Sequence, residues 1–286
     1  MIKYSLVFYH NNLQILTIIF YHLEYIHDIL FYDLRWLMNE QKIINLIGEI
    51  GRLLLKHGAE IYRVEESLLR MCKSYGYPNV EVFALPTYFT LTIEMHDNHT
   101  YTLSKRTQQN RVNLDMVYEL NNLVRYVCTM CPDYDYLKKR INKIKNTPIN
   151  MPLVFVGYGL GTGFFTTFFG GGINETIVAM IIGFILYFFI WLMEFLEINN
   201  LVSTLLSSIL LTSLAIFSFK LNIINSLQST IIGCLMILTP GVAITNSLRD
   251  IMSGDYISGM ARMLEALLTA TFIAVGVGIM MVILGG

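Results

Sequence analysis

The sequence predicts an α-helical integral membrane domain of five transmembrane helices preceded by a small α+β domain, and three observations predict it. The chain is 54% hydrophobic with 14% charged residues, where soluble domains carry roughly 25% charged residues, so part of it must lie in a medium that excludes charge. The charge is unevenly placed: after Asn150 the Asp, Glu, Lys and Arg residues are Glu175, Glu194, Glu197, Lys220, Arg249, Asp250, Asp255, Arg262 and Glu265, and all others precede it. Finally, uncharged stretches cover 146–174, 176–193, 198–219, 221–248 and 266–286, each long enough to hold a spanning helix of roughly 20 residues. The chain divides accordingly into a 1–38 extension, a 39–147 α+β domain and a 148–286 transmembrane domain.

The first 37 residues are rich in Tyr, Phe, Ile and His, but His22, Glu24, His27, Asp28, Asp33 and Arg35 interrupt every apolar run, so none spans a bilayer. No small-residue cleavage site follows an apolar core, which argues against a signal peptide. A regular helical pattern begins right after Met38, and the expectation is that Met38 is the true start; an interfacial anchor is the rival reading.

Ile43, Ile47, Ile50 and Leu54 recur at helical spacing over 41–56, and Gly58 interrupts the helix. A second helix is expected over 59–75, with Ile61, Val64, Leu68, Met71 and Tyr75 inward and Glu60, Arg63, Glu66 and Arg70 outward, stopped by Gly76 and Pro78. The period then changes to two. Val80, Val82 and Ala84 alternate with Glu81 and Phe83, and after Pro86 Phe89, Leu91 and Ile93 alternate with Thr90, Thr92 and Glu94. These are two strands, and Asp97-Asn98 turns into a third over 100–105. Helices resume at Asn113 and again over 134–145.

Lys138, Lys139, Arg140, Lys143 and Lys145 precede the first apolar stretch, which places the N-terminal domain in the cytoplasm. Alternation then puts the Arg249 loop inside as well and the C-terminus outside, with Lys220 mildly discordant.

A net charge of −1 gives no basic face for nucleic acid. Cys128 and Cys131 form one CxxC without the second pair that a zinc ribbon needs, and Cys72 and Cys234 stand alone. His57, Glu60, Glu65 and Glu66 lack a metal-ligand spacing and read as a solvated helix face. His96 and His99 read as a wet turn, and Lys105, Arg106 and Arg111 as a solvated rim. No metal, cofactor or catalytic residue is expected.

The polar features of the membrane half are more informative. Gly157, Gly159, Gly161 and Gly163 contain two overlapping GxxxG pairs, a helix-packing surface because glycine lets backbones approach closely in lipid. Gly170-Gly171-Gly172 with Asn174-Glu175-Thr176 reads as an external link, with a pore mouth as the alternative. Pro240-Gly241 breaks the fourth apolar stretch, and broken helices free backbone groups where transporters build sites. Asn246, Arg249 and Asp250 follow at i, i+3, i+4 and share one helix face. Ser258, Arg262 and Glu265 follow in the next helix, Glu265 heading a run of uncharged residues. A carboxylate there is costly unless paired or protonated, and Arg262 is one turn away. A wet cytoplasmic helix end and a structural ion pair are the competing accounts of these two clusters.

The stretches GRLLLKHGAEIYRVEESL (51–68), KRTQQNRVNLDMVYELNNLV (105–124) and LTPGVAITNSLRDIMSGDYISGMARMLEALL (238–268) resemble the threonine/serine exporter family, in the split bacterial form whose N-terminal half is a separate protein. The resemblance covers the chain from about residue 39 onward; residues 1–38 have no counterpart in it. It implies half of an inner-membrane exporter of small polar carboxylates, completed by a small membrane protein equivalent to the C-terminal half of fused members. A homo-oligomer is also compatible. Fused members point to threonine and serine, and a split pair to succinate. The expected site comprises Pro240, Gly241, Asn246, Arg249, Asp250, Arg262 and Glu265, with Arg249 or Arg262 on the substrate carboxylate and Glu265 exchanging a proton. A membrane-anchored enzyme and a regulatory or scaffold subunit are the rival classes.

Overall fold

The computed structural model describes residues 40–95, 99–107, 112–148 and 150–284, so the expectations for residues 1–38, His96, the Asp97-Asn98 turn and Arg111 lie outside the described residues. The chain forms two compact units. One holds the residues up to Ala59 with Arg63–Phe83 and Thr87–Lys145; the other holds Glu60–Tyr62, Ala84–Pro86 and the residues from Asn146 on.

In the first unit, α1 (40–56) buries Ile44, Ile47, Ile50 and Leu54. The inward stripe takes Ile44 where the spacing offered Ile43, which is half-buried. Helix α2 (Ile61–Ser74) buries Val64, Leu68 and Met71. Strands β1 (Val80–Leu85), β2 (Tyr88–Glu94) and β3 (Thr100–Arg106) form one sheet in that order. The β2–β3 pair is antiparallel with Tyr88 opposite Arg106 and Glu94 opposite Thr100. That register sends Phe89, Leu91 and Ile93 to the fully buried face, since side chains alternate along a strand. Helix α3 (Leu114–Met130) is capped by the Asn113 side chain, which accepts from the Met116 N–H. It buries Leu120, Leu123, Val124 and Val127, and α4 (Tyr134–Lys145) buries Leu137, Ile141 and Ile144. Glu49 on α1 accepts from Arg52 Nη2 at 2.6 Å and lies 2.7 Å from Lys145 Nζ.

In the second unit, α5 (Met151–Phe168), α6 (Ile173–Phe195), α7 (Asn200–Lys220) and α10 (Tyr256–Leu284) are, among the described residues, the helices long and apolar enough to cross a membrane. The stretch 221–248, expected as a further crossing broken at Pro240-Gly241, is broken there into two short helices. It contains α8 (Leu227–Leu235) and runs into α9 (Gly241–Met252). At 1.5 Å per residue these are about 14 and 18 Å long, each short of the roughly 30 Å of bilayer hydrocarbon. Proline causes the break. Pro240 has no N–H for the Met236 carbonyl, and the turn before it tightens, with the Leu238 N–H donating three residues back to the Leu235 carbonyl at 2.9 Å. Pro240 then serves as the N-cap residue of α9.

The core of this unit is a cluster of Ala179, Ile182 and Leu186 from α6, Leu211 and Ala215 from α7, and Ile231 and Cys234 from α8. Glycine sets how closely α5 and α6 approach. A Cβ at Gly159 would lie 2.2 Å from the Phe184 ring and one at Gly163 2.4 Å from Met180 Cγ, whereas one at Gly157 would meet nothing within 4 Å and one at Gly161 only ordinary contact with Ile237. The partners come mainly from α6, where Gly183 in turn receives Thr162 and the Tyr158 carbonyl.

Asn174, Glu175 and Thr176, expected in a link, belong to the first turn of α6. Glu175 is 3% exposed. Its Oε1 accepts the N–H groups of Asn225 at 2.6 Å and Ser226 at 3.1 Å, so this carboxylate ties α6 to the turn that opens α8.

Candidate functional site

The polar residues gathered at the α9–α10 turn form two ion pairs of different character. The turn itself is held by backbone: the Ser253 N–H donates to the Arg249 carbonyl at 2.9 Å and the Asp255 N–H to the Asp250 carbonyl at 2.9 Å. Gly254 sits there at φ +94, a left-handed conformation that glycine adopts without the steric cost of a Cβ. Ser247 Oγ donates to the Gly259 carbonyl at 2.6 Å and pins α9 to α10.

The first pair is closed to solvent. Asp250 is fully buried on α9, Arg262 is 3% exposed on α10, and Arg262 Nε lies 3.6 Å from Asp250 Oδ2. The other carboxylate oxygen, Oδ1, accepts the Ile61 N–H at 3.2 Å. Asp250 thereby satisfies a donor at the first residue of α2, a position with no intrahelical partner. Burial pushes the Asp250 carboxyl above the usual carboxylate range, against the pull of the Arg262 charge and the Ile61 N–H. Next to it, Ser258 Oγ donates to the Ala84 carbonyl at 3.3 Å.

The second pair is open. Arg249 Nη1 donates to Glu60 Oε1. The Arg249 side chain is 48% exposed while that of Glu60 is 11% exposed. Glu60–Tyr62 and Ala84–Pro86 are part of the same compact unit as α9 and α10, so both pairs are internal to it.

The structure therefore sorts the residues expected to act together. Asn246, Arg249 and Asp250 were expected on one face; Asp250 turns inward with Ser247, Asn246 is half-buried, and Arg249 is turned outward to Glu60. Arg262 is brought to Asp250. Glu265 lies on the exposed side of α10, because three residues turn a helix by about 300° and carry it off the buried line of Ser258, Arg262 and Ala266. Pro240 and Gly241 sit at the start of α9, the opposite end from Arg249 and Asp250. Glu60 corrects the sequence reading. Helical spacing assigned it to a solvated face, but it precedes the first residue of α2, where helical spacing does not apply, and it is 8% exposed.

The two guanidiniums differ in their access to solvent. Arg262 is enclosed against a buried carboxylate, whereas Arg249 is reachable, and a guanidinium matches a carboxylate's two oxygens in geometry and charge. Among the described residues no group of three or more His, Cys, Asp or Glu side chains could hold a metal ion.

Comparison with known proteins places these features in a family. A family model described as "Putative threonine/serine exporter" (ThrE) matches residues 45–284. Two relatives, each named "Probable succinate transporter subunit YjjP", align over 249 residues, which is 86% of this chain. The one from Klebsiella aerogenes is 22% identical with 95% of its length covered, and the one from Escherichia coli strain K12 is 23% identical with 96% covered. No solved structure matches. A match that takes in α2, the broken α8–α9 segment and all of α10 shows that the chain belongs to the ThrE threonine/serine exporter family.

Proposed function

We propose that this chain is one subunit of an inner-membrane exporter of small polar carboxylates, a carrier and not an enzyme, completed by a small membrane-embedded partner subunit. The observation that carries the reading is the family match across 45–284, which includes the accessible Arg249 beyond a proline-broken membrane helix. The relatives' names contain the word "subunit" and their whole length is nearly covered, which supports a separate partner.

In this reading the uncharged stretch 221–248 supplies a fifth crossing in two pieces, with Arg249 and Asp250 just beyond its end. The basic residues of α4 favour a cytoplasmic N-terminal domain, 39–147, and an odd number of crossings then leaves the C-terminus outside. Helix α10 is about 44 Å long at 1.5 Å per residue, so roughly its first third extends past the hydrocarbon. Arg262 and Glu265 then sit near the membrane boundary.

Arg249 receives the substrate carboxylate, and the break at Pro240-Gly241, with Asn246 on the following turn, provides the hinge and polar wall of the path. Asp250 and Arg262 hold α9 against α10 so that Arg249 is presented at a fixed place. Glu265, facing outward, carries a proton at the surface where the partner completes the path. The family name favours threonine and serine as cargo. The names of the two relatives favour succinate as a second reading.

The test is export of labelled threonine, serine and succinate from cells carrying this chain with and without its partner subunit. Efflux of one of these that requires both proteins is expected. Efflux of none, or efflux by the partner alone, overturns the reading, the second outcome in favour of a regulatory or scaffold subunit. Glu265→Gln is expected to abolish export with membrane insertion intact, and unchanged export removes Glu265 from the mechanism.

A further inference from the structure

We propose that Glu60 is a resident competitor for the substrate's carboxylate, holding the Arg249 guanidinium when the site is empty and yielding it when a carboxylate arrives. The inference rests on the exporter reading and adds a residue that neither the family match nor the relatives' names assign.

Two carboxylates and two guanidiniums meet at the start of α2, and they are not equivalent. Arg262 and Asp250 are 3% and 0% exposed, and Asp250 is further committed to the Ile61 N–H. Breaking that pair would strand a charge without water. Arg249 and Glu60 differ from them in the one respect that permits exchange. Nearly half of the Arg249 side chain faces solvent, and the contact to Glu60 runs through Nη1. A guanidinium has five N–H donors, so an incoming carboxylate can engage Arg249 from the open side before Glu60 lets go.

The exchange is close to balanced, because one carboxylate replaces another on the same guanidinium. A resident carboxylate also selects. It scales the apparent affinity for every ligand down to the fraction of time Arg249 is released from it, and only a ligand that supplies its own carboxylate restores the neutralised arginine. Neutral solutes of similar size gain nothing by displacing Glu60, because they would leave the Arg249 charge without a counter-charge. Glu60 is placed for this by its position just before α2, where a carboxylate is favoured by the amino end of the helix. Release from Arg249 therefore does not leave it without stabilisation.

The experiment is equilibrium binding of radiolabelled succinate and threonine to the native complex, purified through a tag on this chain, for the wild type and for Glu60→Gln, Glu60→Asp and Arg249→Gln. Glu60→Gln keeps the shape of the side chain and removes its charge. The expected result is about threefold to tenfold tighter binding of at least one ligand to Glu60→Gln. A smaller gain is expected for Glu60→Asp, and loss of binding for Arg249→Gln. A purely structural ion pair predicts the other pattern, in which Glu60→Gln and Arg249→Gln lower thermal stability and weaken binding together; that outcome, or unchanged affinity in Glu60→Gln, overturns the proposal and leaves the exporter reading standing. If Glu60→Gln does not accumulate, Glu60→Asp carries the test, and affinity equal to or weaker than wild type overturns the proposal. Absence of binding of both ligands in the wild type and in every variant overturns the carboxylate reading and the competitor with it.

Discussion

Asp250 and Arg262 face each other across the α9–α10 pair, Oδ2 to Nε 3.6 Å apart, with both side chains at or below 3% exposure. Neither charge can be removed alone without stranding the other. Asp250→Asn or Arg262→Met is expected to cost about 3–5 kcal/mol, whereas the double variant recovers much of that loss, because a buried pair exchanged for packed neutral groups is often nearly neutral. Thermal unfolding of the detergent-purified chain, with the two single variants and the double in one cycle, checks this. Additive losses in the double would show that the two groups do not act as a pair.

The α5 glycines make a second contrast, this time within one motif. Gly159→Ala and Gly163→Ala would drive a methyl into Phe184 and Met180, and overpacking of this kind costs about 1–3 kcal/mol. Gly157→Ala meets nothing within 4 Å and is expected to be neutral or to stabilise by up to about 1 kcal/mol, as alanine is the better helix former. The midpoints of thermal unfolding of the three variants measure the difference. Equal effects at all three positions would contradict the packing.

These contrasts show where the sequence was legible. Period-two alternation at Phe89, Leu91 and Ile93 and helical spacing at Val64, Leu68 and Met71 reported burial correctly, since a side chain's direction follows from the local period. The break at Pro240 was legible because proline acts on its own backbone. Which polar residues meet was not. Arg249 and Glu60 are 189 positions apart and Glu175 and Asn225 are 50 apart, and no local pattern encodes such pairings. Spacing on one helix suggested that Asn246, Arg249 and Asp250 work as a group, but their direction is decided by what packs on either side of α9.

The thiols of the first unit differ by environment. Burial, with the neighbouring Cys128, pushes the Cys72 thiol up to about 12, while Cys131 is exposed at the end of α3. The thiolate is the reactive form. Alkylation of the folded chain at neutral pH is expected to label Cys131 first and to leave Cys72 unmodified until the chain is unfolded. Peptide mass spectrometry reads the order, and early labelling at Cys72 would contradict its burial.

Glu49 gives the first unit an acid-sensitive step. Burial works against its charged form, but hydrogen bonds from Arg52 and Lys145 outweigh it and bring the carboxyl from 4.5 down to about 2. A carboxyl depressed in the folded state stabilises above its unfolded value, and that contribution drains away as pH falls from about 4.5 to about 2. The amount is about 1–3 kcal/mol after allowance for solvent screening. Glu49→Gln is expected to lower stability at neutral pH and to flatten the decline in that window. Denaturation followed at a series of pH values tests it, and an unchanged slope would show that Arg52 and Lys145 do not hold the carboxylate.

Glu175 makes the sharpest prediction about how the broken segment is held in place. Its Oε1 takes both the Asn225 and the Ser226 N–H, and Ser226 is the N-cap of α8, so one side chain on α6 fixes the entry of the segment that Pro240 later breaks. Glu175→Ala leaves two backbone donors without their acceptor, a loss of about 1–3 kcal/mol for each group left buried. Glu175→Gln keeps a carbonyl oxygen that can accept from both but loses the charge, and charge-assisted bonds are roughly twice as strong as neutral ones. The expected order of stability is therefore wild type, then Gln, then Ala. If the carboxylate acts by anchoring α8, the damage should be local. Limited proteolysis should cut between Leu221 and Ser226 in the Ala variant at temperatures where the wild type resists, while cleavage of the first unit stays unchanged. Equal resistance in both proteins would mean that the α7–α8 turn is held by other contacts.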